Sequence, residues 1–224
     1  MRPWFVLSAE NLAIIESEGR RILEFARQAP DVPVPQYPDW TMSDLVSHTA
    51  SICGRTTQVC LTLPQERISA PRLPEGQDAI DWYSETLATM IDALRDADAA
   101  VEVWGFGPDP TIGFWERRMV IEAGLHRWDA QQAVEPPDPL LDPVAIAGLD
   151  EFAEMWLPRM GELPTLEVLA TDQDRSWIFG SGEPVESVDG GASDLYLRLM
   201  ARPGVDLPPQ WTAAIDGLAP PPKR

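Results

Sequence analysis

The sequence predicts an α+β protein in which an N-terminal four-helix bundle is followed by a small α+β domain. Four segments with apolar residues at helical spacing occupy the chain up to about residue 138. The proline-rich stretch PPDPLLDP, from Pro136 to Pro143, then ends this pattern. Shorter segments with strand-like and helical character follow it. We therefore predict a bundle over residues 1–138 and a second domain over residues 139–224.

The first two predicted helices are separated by an extended connection. The first spans Ala9 to Gln28, where apolar residues recur every three or four positions between charged ones. Closely spaced prolines then exclude a helix. The second runs from about Met42 to Leu63, with Thr41 and Asp44 placed to form a near capping box at its start. His48 falls on the apolar stripe of this second helix and is predicted to point inward.

The third predicted helix spans Ala79 to Leu94, and a loop rich in glycine and proline follows it from Val101 to Gly113. Thr111 is positioned to cap the fourth helix, which contains the stretch from Trp115 to Val134. Four helices joined by substantial loops indicate an up-and-down bundle. Metal sites in such bundles are built from inward side chains on facing helices.

The segment after the proline-rich stretch predicts mixed secondary structure. Val144 to Trp156 has helical spacing, and Ala192 to Ala201 has it again. Between them, Thr165 to Ala170 and Ser176 to Gly180 have the composition of short strands around a polar turn. This order of elements is typical of a small α+β domain.

Composition and charge exclude several classes of function. The formal net charge of −19 would repel both a nucleic-acid backbone and an anionic membrane surface. The apolar run from Trp4 to Leu7 is interrupted by Glu10 before a signal-peptide core forms, and no window approaches the length of a membrane span. Cys53 and Cys60 are too far apart on one helix for a disulfide. We therefore predict a cytoplasmic protein with reduced thiols.

The fourth predicted helix carries the chemistry-bearing residues. Glu122 and His126 are four residues apart, and residues at this spacing share one face of a helix. The other histidine of the chain, His48, points inward from the second helix, so the three side chains are candidates for one metal site. Two imidazoles and a carboxylate leave a coordination position open and suit zinc or iron(II). Asp129 and Asp44 are placed to orient His126 and His48, respectively.

The same residues also allow a plainer interpretation. A glutamate and a histidine four residues apart on a helix occur often by chance, and an inward histidine is frequently a hydrogen-bonded core residue. Spacing alone does not decide between a metal site and a polar core. The tryptophans, Trp40 and Trp115 among them, are interpreted as core residues because aromatic side chains bury large areas.

Two motifs resemble a known family. The stretch VPVPQYPDWTMSDLVSHTA, Val32 to Ala50, is similar to the segment that precedes the first metal histidine in the mycothiol-dependent maleylpyruvate isomerase family of DinB-like metalloenzymes. IEAGLHRWDAQQA, Ile121 to Ala133, resembles that family's E-x-x-x-H-R-x-D-x-x-x-A motif. The resemblance implies a DinB-like four-helix bundle in which His48, Glu122 and His126 hold a divalent metal, most readily zinc.

The resemblance extends to the C-terminal part and has one departure. SGEPVESVDGGASDLYLRLMARPG is similar to the end of the family's small α+β domain, and it carries over Arg202 as a candidate contact for an anionic substrate or thiol. The alternative for Arg202 is an exposed arginine paired with a nearby acid. The family often has C-P-G-W where this chain has Tyr37, Pro38, Asp39 and Trp40. This difference bears on the identity of the substrate.

The function implied by the resemblance is that of a metal-dependent isomerase or S-transferase that uses mycothiol or a similar thiol. Its partners would be a small electrophilic substrate and the thiol, and the protein would be a monomer or dimer. The competing hypothesis is a non-catalytic, metal- or ligand-binding DinB-like protein, such as a ligand carrier. The two differ in whether an electrophile is consumed.

Overall fold

The computed structural model describes residues 9–108 and 110–218, which form two compact units, one up to Asp138 and one from Pro139 onward. The first unit is a four-helix bundle and the second is a small α+β unit with a three-stranded sheet. The predicted fold class is therefore confirmed. The apolar run from Trp4 to Leu7 lies outside the described residues. None of the described helices combines the length and apolar character that a membrane span requires.

The bundle consists of α1 (Ala9–Gln28), α2 (Met42–Thr62), α3 (Ala79–Arg95) and α4 (Ile112–Gln132). The most extensive contacts are those of α2 with α3 and of α1 with α4. α1 also packs on α3, and α2 on α4. The two helices with candidate metal ligands, α2 and α4, are therefore in direct contact.

Both of these helices begin at a threonine cap, as their sequences predict. The Thr41 hydroxyl accepts a hydrogen bond from the Asp44 amide at 3.4 Å, and the Asp44 carboxylate accepts one from the Thr41 amide at 2.9 Å. The Thr111 hydroxyl accepts a hydrogen bond from the Phe114 amide at 3.2 Å. The caps fix where each helix starts and so fix which residues share its inner face.

α1 and α4 run in the same direction. Glu18 on α1 pairs with Arg127 on α4, and Arg21, further along α1, donates to Gln131, further along α4, at 3.1 Å. The predicted up-and-down arrangement requires the first and fourth helices to be antiparallel, so this part of the prediction is wrong. Long connections, rather than short hairpin loops, allow the parallel arrangement.

α2 runs antiparallel to α4. The Thr56 hydroxyl, late in α2, donates to the Met119 sulfur, early in α4, at 3.2 Å. At the other end of the contact, the ring of His48, early in α2, lies 5.4 Å from the ring of His126, late in α4. The start of α2 therefore faces the C-terminal half of α4.

α3 is parallel to α2. The amide of Gly113, at the start of α4, donates to the carbonyl of Ala99 shortly after α3 ends, so α3 ends where α4 begins. Residues 63–78 must therefore return along the bundle. Along this return the Ser51 hydroxyl donates to the Pro71 carbonyl at 2.6 Å. Gly54 leaves room for it, because a Cβ there would lie 2.6 Å from Pro71 Cγ.

A buried ion pair joins α1 to α4. Arg127 Nε lies 2.7 Å from Glu18 Oε2, and the two side chains are 1% and 3% exposed. Arg127 also donates to Gln131 Oε1 at 3.1 Å and to the Asp138 carbonyl at 2.8 Å. The guanidinium of Arg127, which is the arginine of the H-R motif, therefore links α1 to α4.

Over residues 139–218, the second unit contains three α-helices and three strands. Its elements are α5 (Asp142–Glu151), which continues through a π-helical turn (Phe152–Trp156) and a 3-10 turn (Leu157–Arg159), β1 (Leu166–Ala170), β2 (Arg175–Phe179), β3 (Glu186–Gly190), α6 (Ala192–Leu199) and α7 (Pro209–Asp216). In the sheet, β1 is central, antiparallel to β2 and parallel to β3. The core of this unit includes ring contacts of Phe179 with Phe152 at 5.2 Å and with Trp211 at 6.1 Å.

Replacing Glu18 with alanine is expected to lower the free energy of unfolding by about 3–5 kcal/mol, because it leaves the Arg127 charge buried without its carboxylate. The measurement is denaturant unfolding followed by circular dichroism. Glu16→Ala is the matched control, since Glu16 pairs with Arg20 on the exposed side of α1 and its loss should cost at most about 1 kcal/mol. Equal losses for the two variants would contradict the account of this pair.

Candidate metal centre

His48, Glu122 and His126 converge at one buried point. One ligand atom from each lies within 4.8 Å of the other two, and the residues are 7%, 6% and 3% exposed, respectively. Across residues 9–108 and 110–218, no other group of three His, Cys, Asp or Glu side chains has this geometry. α2 supplies the first side chain and α4 the other two, as the antiparallel contact of these helices dictates.

His126 is held from both sides by carboxylates of its own helix. Its Nε2 lies 3.0 Å from Glu122 Oε2, and its Nδ1 lies 3.0 Å from Asp129 Oδ2. Asp129 is fully buried, so this contact is not exchanged for water. The predicted contact between Asp129 and His126 is confirmed. Since Asp129 occupies Nδ1, Nε2 is the nitrogen that faces Glu122.

Asp44 has a different set of contacts. Its carboxylate accepts hydrogen bonds from the amide and the hydroxyl of Thr41, both at 2.9 Å, within the cap of α2. Its suggested role in orienting His48 stays a prediction.

Neighbouring charged groups shift the pKa values of both Glu122 and His126. Burial alone would raise the pKa of Glu122, but Arg118, which donates to its Oε1, and His126 hold that pKa well below its usual range. Burial alone would lower the pKa of His126, but hydrogen bonds to Asp129 and Glu122 raise it to about 9. Glu122 is therefore an anion facing a cationic imidazole.

The donor set fits a divalent cation. Ligand atoms at about 2.0–2.1 Å from a tetrahedral zinc lie roughly 3.4 Å apart, which is close to the 3.0 Å between His126 Nε2 and Glu122 Oε2. A metal ion placed there takes over the position of the imidazole proton, since metal ligation requires a neutral histidine. His48, on the facing helix, is the third candidate ligand, with one ligand atom within 4.8 Å of those of the other two.

An aromatic wall, which we define as Tyr37 and Trp40, lies against the two histidines. The Trp40 ring is 5.0 Å from the His48 ring, the Tyr37 ring is 6.3 Å from the His126 ring, and the two aromatic rings are 4.5 Å apart. Backbone hydrogen bonds fix this turn, including one from the Trp40 amide to the Tyr37 carbonyl at 2.8 Å. Both side chains are buried. The aromatic wall therefore shields the imidazoles from water on this side.

Sequence reasoning missed two features of the site. Arg118 contacts Glu122 at the same four-residue spacing that singled out His126, so helical spacing would have found it. From sequence, Tyr37 and Trp40 belong to a stretch that departs from the family's pattern, and Trp40 is interpreted as a core residue, but neither is predicted to lie at the site. Their placement against the histidines depends on the path of the connection before α2, for which helical spacing gives no signal.

Arg202 lies in the second unit, just after α6. It is 5% exposed and donates to the Met200 carbonyl at 2.6 Å. The alternative of an exposed surface arginine is therefore wrong, because the side chain is buried. Its role as a contact for substrate or thiol stays a prediction.

The bundle that carries these residues matches a known protein family. Residues 12–131 match the family model described as the mycothiol maleylpyruvate isomerase N-terminal domain. This match covers more than half of the chain and includes His48, Glu122 and His126. The chain belongs to this family. The resemblance inferred from the two sequence motifs is thereby confirmed.

Solved structures support the same fold for this family member. The chain is similar to a crystal structure of the mycothiol-dependent maleylpyruvate isomerase, with a TM-score of 0.60 and 15% identity over 84% of this chain and 86% of that one. A histidine-to-alanine mutant of that enzyme gives a TM-score of 0.61 and 16% identity with the same coverage. At this identity the likeness shows the fold. A search of curated proteins finds no match.

The two cysteines of the bundle form no disulfide, and their surroundings keep both thiols unreactive. Cys53 is buried, and burial together with the nearby Glu122 raises the pKa of its thiol far above the usual range. Burial raises the pKa of Cys60 from 9.0 to about 11. Both thiols are therefore protonated at neutral pH, and neither is poised as a nucleophile.

Alkylation by iodoacetamide at pH 7.5 should therefore be slow in the folded protein. For Cys60 the raised pKa alone reduces the thiolate population by about 100-fold, and for Cys53 burial also blocks the reagent. Mass spectrometry of labelled peptides measures each site, and the same protein unfolded in urea is the control. Labelling of Cys53 at similar rates in the folded and unfolded protein would contradict this assignment.

Proposed function

We propose that this protein is a metal-dependent enzyme that uses a low-molecular-weight thiol, mycothiol or a similar one. It either isomerises a small electrophile or acts as an S-transferase that attaches the thiol to it. The observation that carries the proposal is the buried cluster of His48, Glu122 and His126 inside a bundle of this family. The family includes mycothiol-dependent isomerases. Burying a polar cluster of this composition costs free energy, and this cost favours a functional role for the cluster.

The metal ligands in this proposal are His48, Glu122 and His126, holding one divalent ion, with zinc the first candidate and iron(II) the alternative. Three protein ligands leave a coordination position open, as in catalytic zinc sites. Asp129 supports the assignment, because metal-binding histidines commonly donate their other ring N–H to a carboxylate. The bound ion would supply a local positive charge that keeps a coordinated thiol in its thiolate form at neutral pH.

The chain's own residues position the reactants and exclude water. Asp129 fixes the His126 ring, and the aromatic wall of Tyr37 and Trp40 covers both imidazoles. Glu122 supplies the negative charge of the ligand set. A site of this kind contributes mainly by orientation and by a preorganised electrostatic environment.

Thiolate chemistry accounts for both reaction classes. When a thiolate sulfur adds to an activated double bond, a C–S bond forms and the π electrons move onto the activating group. The former double bond then rotates freely. Reversal of the addition expels the thiolate and leaves the other isomer, so the thiol is not consumed. If the adduct instead takes up a proton and is retained, the outcome is S-transfer.

Arg202 remains a candidate contact for an anionic group of the substrate or thiol. Its support is the family resemblance of the segment around it together with its burial, since arginine side chains are mostly exposed. A guanidinium binds a carboxylate through two parallel hydrogen bonds.

Metal content provides the first test. The purified wild type should contain about one divalent ion per chain by elemental analysis, and His126→Ala should contain almost none. Asp129→Ala should bind the same metal with a Kd about 10–100-fold higher, because its loss releases the His126 ring. Asp92→Ala, which removes an exposed carboxylate of α3, is the control and should keep full metal content. A wild type that takes up no metal even when it is supplied would overturn the proposal.

Consumption of an electrophile separates the enzyme from the ligand carrier. With mycothiol and an unsaturated electrophile such as a maleyl compound, the metal-loaded wild type should catalyse isomerisation or adduct formation, and His48→Ala should lose at least about 100-fold in kcat/KM. Progress is followed by ultraviolet absorbance and chromatography. Binding of thiol that does not depend on metal, with no turnover across a panel of thiols and electrophiles, would instead favour the carrier.

A further inference from the structure

The two histidines of the cluster lie beside different kinds of side chain. On α4, the Asp129 carboxylate contacts Nδ1 of His126 at 3.0 Å. On α2, the acid that the sequence places to orient His48 is Asp44, and its carboxylate accepts hydrogen bonds from the amide and the hydroxyl of Thr41, both at 2.9 Å. The Asp44 carboxylate is therefore engaged in the cap of the helix.

His48 is in contact with aromatic rings instead. The Trp40 ring lies 5.0 Å from the His48 ring at an angle of 53°, and the His126 ring lies 5.4 Å away, almost edge-on. Both Trp40 and His48 are buried. An imidazole that contacts a large buried ring has little room to rotate, because protein interiors are close-packed.

Trp40 is itself held in place from two directions. Its amide donates to the Tyr37 carbonyl at 2.8 Å, and its carbonyl accepts a hydrogen bond from the Val34 amide at 3.0 Å. The Tyr37 ring also packs on the Trp40 ring, with centroids 4.5 Å apart. The next residue, Thr41, caps α2. The position of the Trp40 ring relative to the start of α2 is therefore fixed by its backbone and by its neighbour.

We propose that Trp40 is a positioning residue for His48 and restricts its imidazole before the metal binds, as Asp129 does for His126. Restricting a ligand side chain in advance lowers the conformational entropy that binding has to overcome. This role differs from the exclusion of water, which any apolar side chain at residue 40 provides. The inference rests on the proposed function, because the ring is positioned for a metal ion.

The first test measures the zinc affinity of the full-length protein by competition with a chromophoric chelator. Trp40→Leu keeps the position apolar but removes the ring, and it should raise the Kd for zinc about 10-fold, the lower end of the roughly 10–100-fold effect of groups that orient a ligating histidine. Trp40→Phe should recover most of the affinity. Trp82→Leu is the matched control, since Trp82 is a buried tryptophan of α3, which supplies none of the three candidate ligands. It should bind zinc like the wild type.

The second test observes the imidazoles directly and needs no metal. The chain has only two histidines, so selective ¹³C labelling gives ring signals from His48 and His126 alone, and His126→Ala assigns them. NMR relaxation should show that both rings are similarly rigid in the metal-free wild type. In Trp40→Leu, the His48 ring should become mobile while the His126 ring stays rigid.

Each outcome of these tests has a definite meaning. Wild-type zinc affinity in Trp40→Leu, or an equal loss of affinity in Trp82→Leu, overturns the inference while the proposed function stands. A His48 ring that is mobile in the metal-free wild type has the same consequence, and this measurement remains available if Trp40→Leu fails to fold. A wild type that takes up no zinc overturns the proposed function and the inference with it.

Discussion

The pairing of charges on a buried helix shapes the first unit of this protein. α4 is buried along almost its whole length and yet carries several ionisable side chains. A charge without a partner in such a position costs several kcal/mol. Three pairs reduce this cost: Glu18 with Arg127, Asp129 with His126, and Arg118 with Glu122. The first pairing joins helices, whereas the other two shape the candidate metal centre.

The direction of the helices connects this requirement to the site. Because α1 and α4 are parallel, Glu18 reaches Arg127, one residue after His126. Because α2 is antiparallel to α4, its start, with His48, faces the same part of α4. The connection that precedes α2 then places the aromatic wall of Tyr37 and Trp40 against both imidazoles. One helical arrangement thus supplies the candidate ligands, the carboxylate that contacts His126 and the aromatic cover.

Local features of the fold and site were predictable from the sequence. Helical spacing identified the four bundle helices and the contact between Asp129 and His126, and threonine identified the starts of α2 and α4. The parallel course of α1 and α4 was not predictable, because it depends on the path of the connection formed by residues 63–78. This connection packs closely against α2, where Pro71 lies next to Gly54. β3 was missed because it is short and largely polar, and α7 because it spans only eight residues. The burial of Arg202 was not predictable either, because arginine is usually exposed and its burial here depends on the tertiary fold.

X-ray absorption at the metal edge of the zinc-loaded protein tests most directly whether the three side chains form one coordination site. The account predicts two imidazole nitrogens at about 2.0–2.1 Å and carboxylate oxygen at about 2.0–2.2 Å, with no sulfur in the ligand-free protein. Addition of mycothiol should then introduce one sulfur at about 2.3 Å. A zinc–sulfur distance before thiol is added, or a shell of oxygen ligands without the imidazole signature, would contradict the assignment of His48, Glu122 and His126 as the ligands.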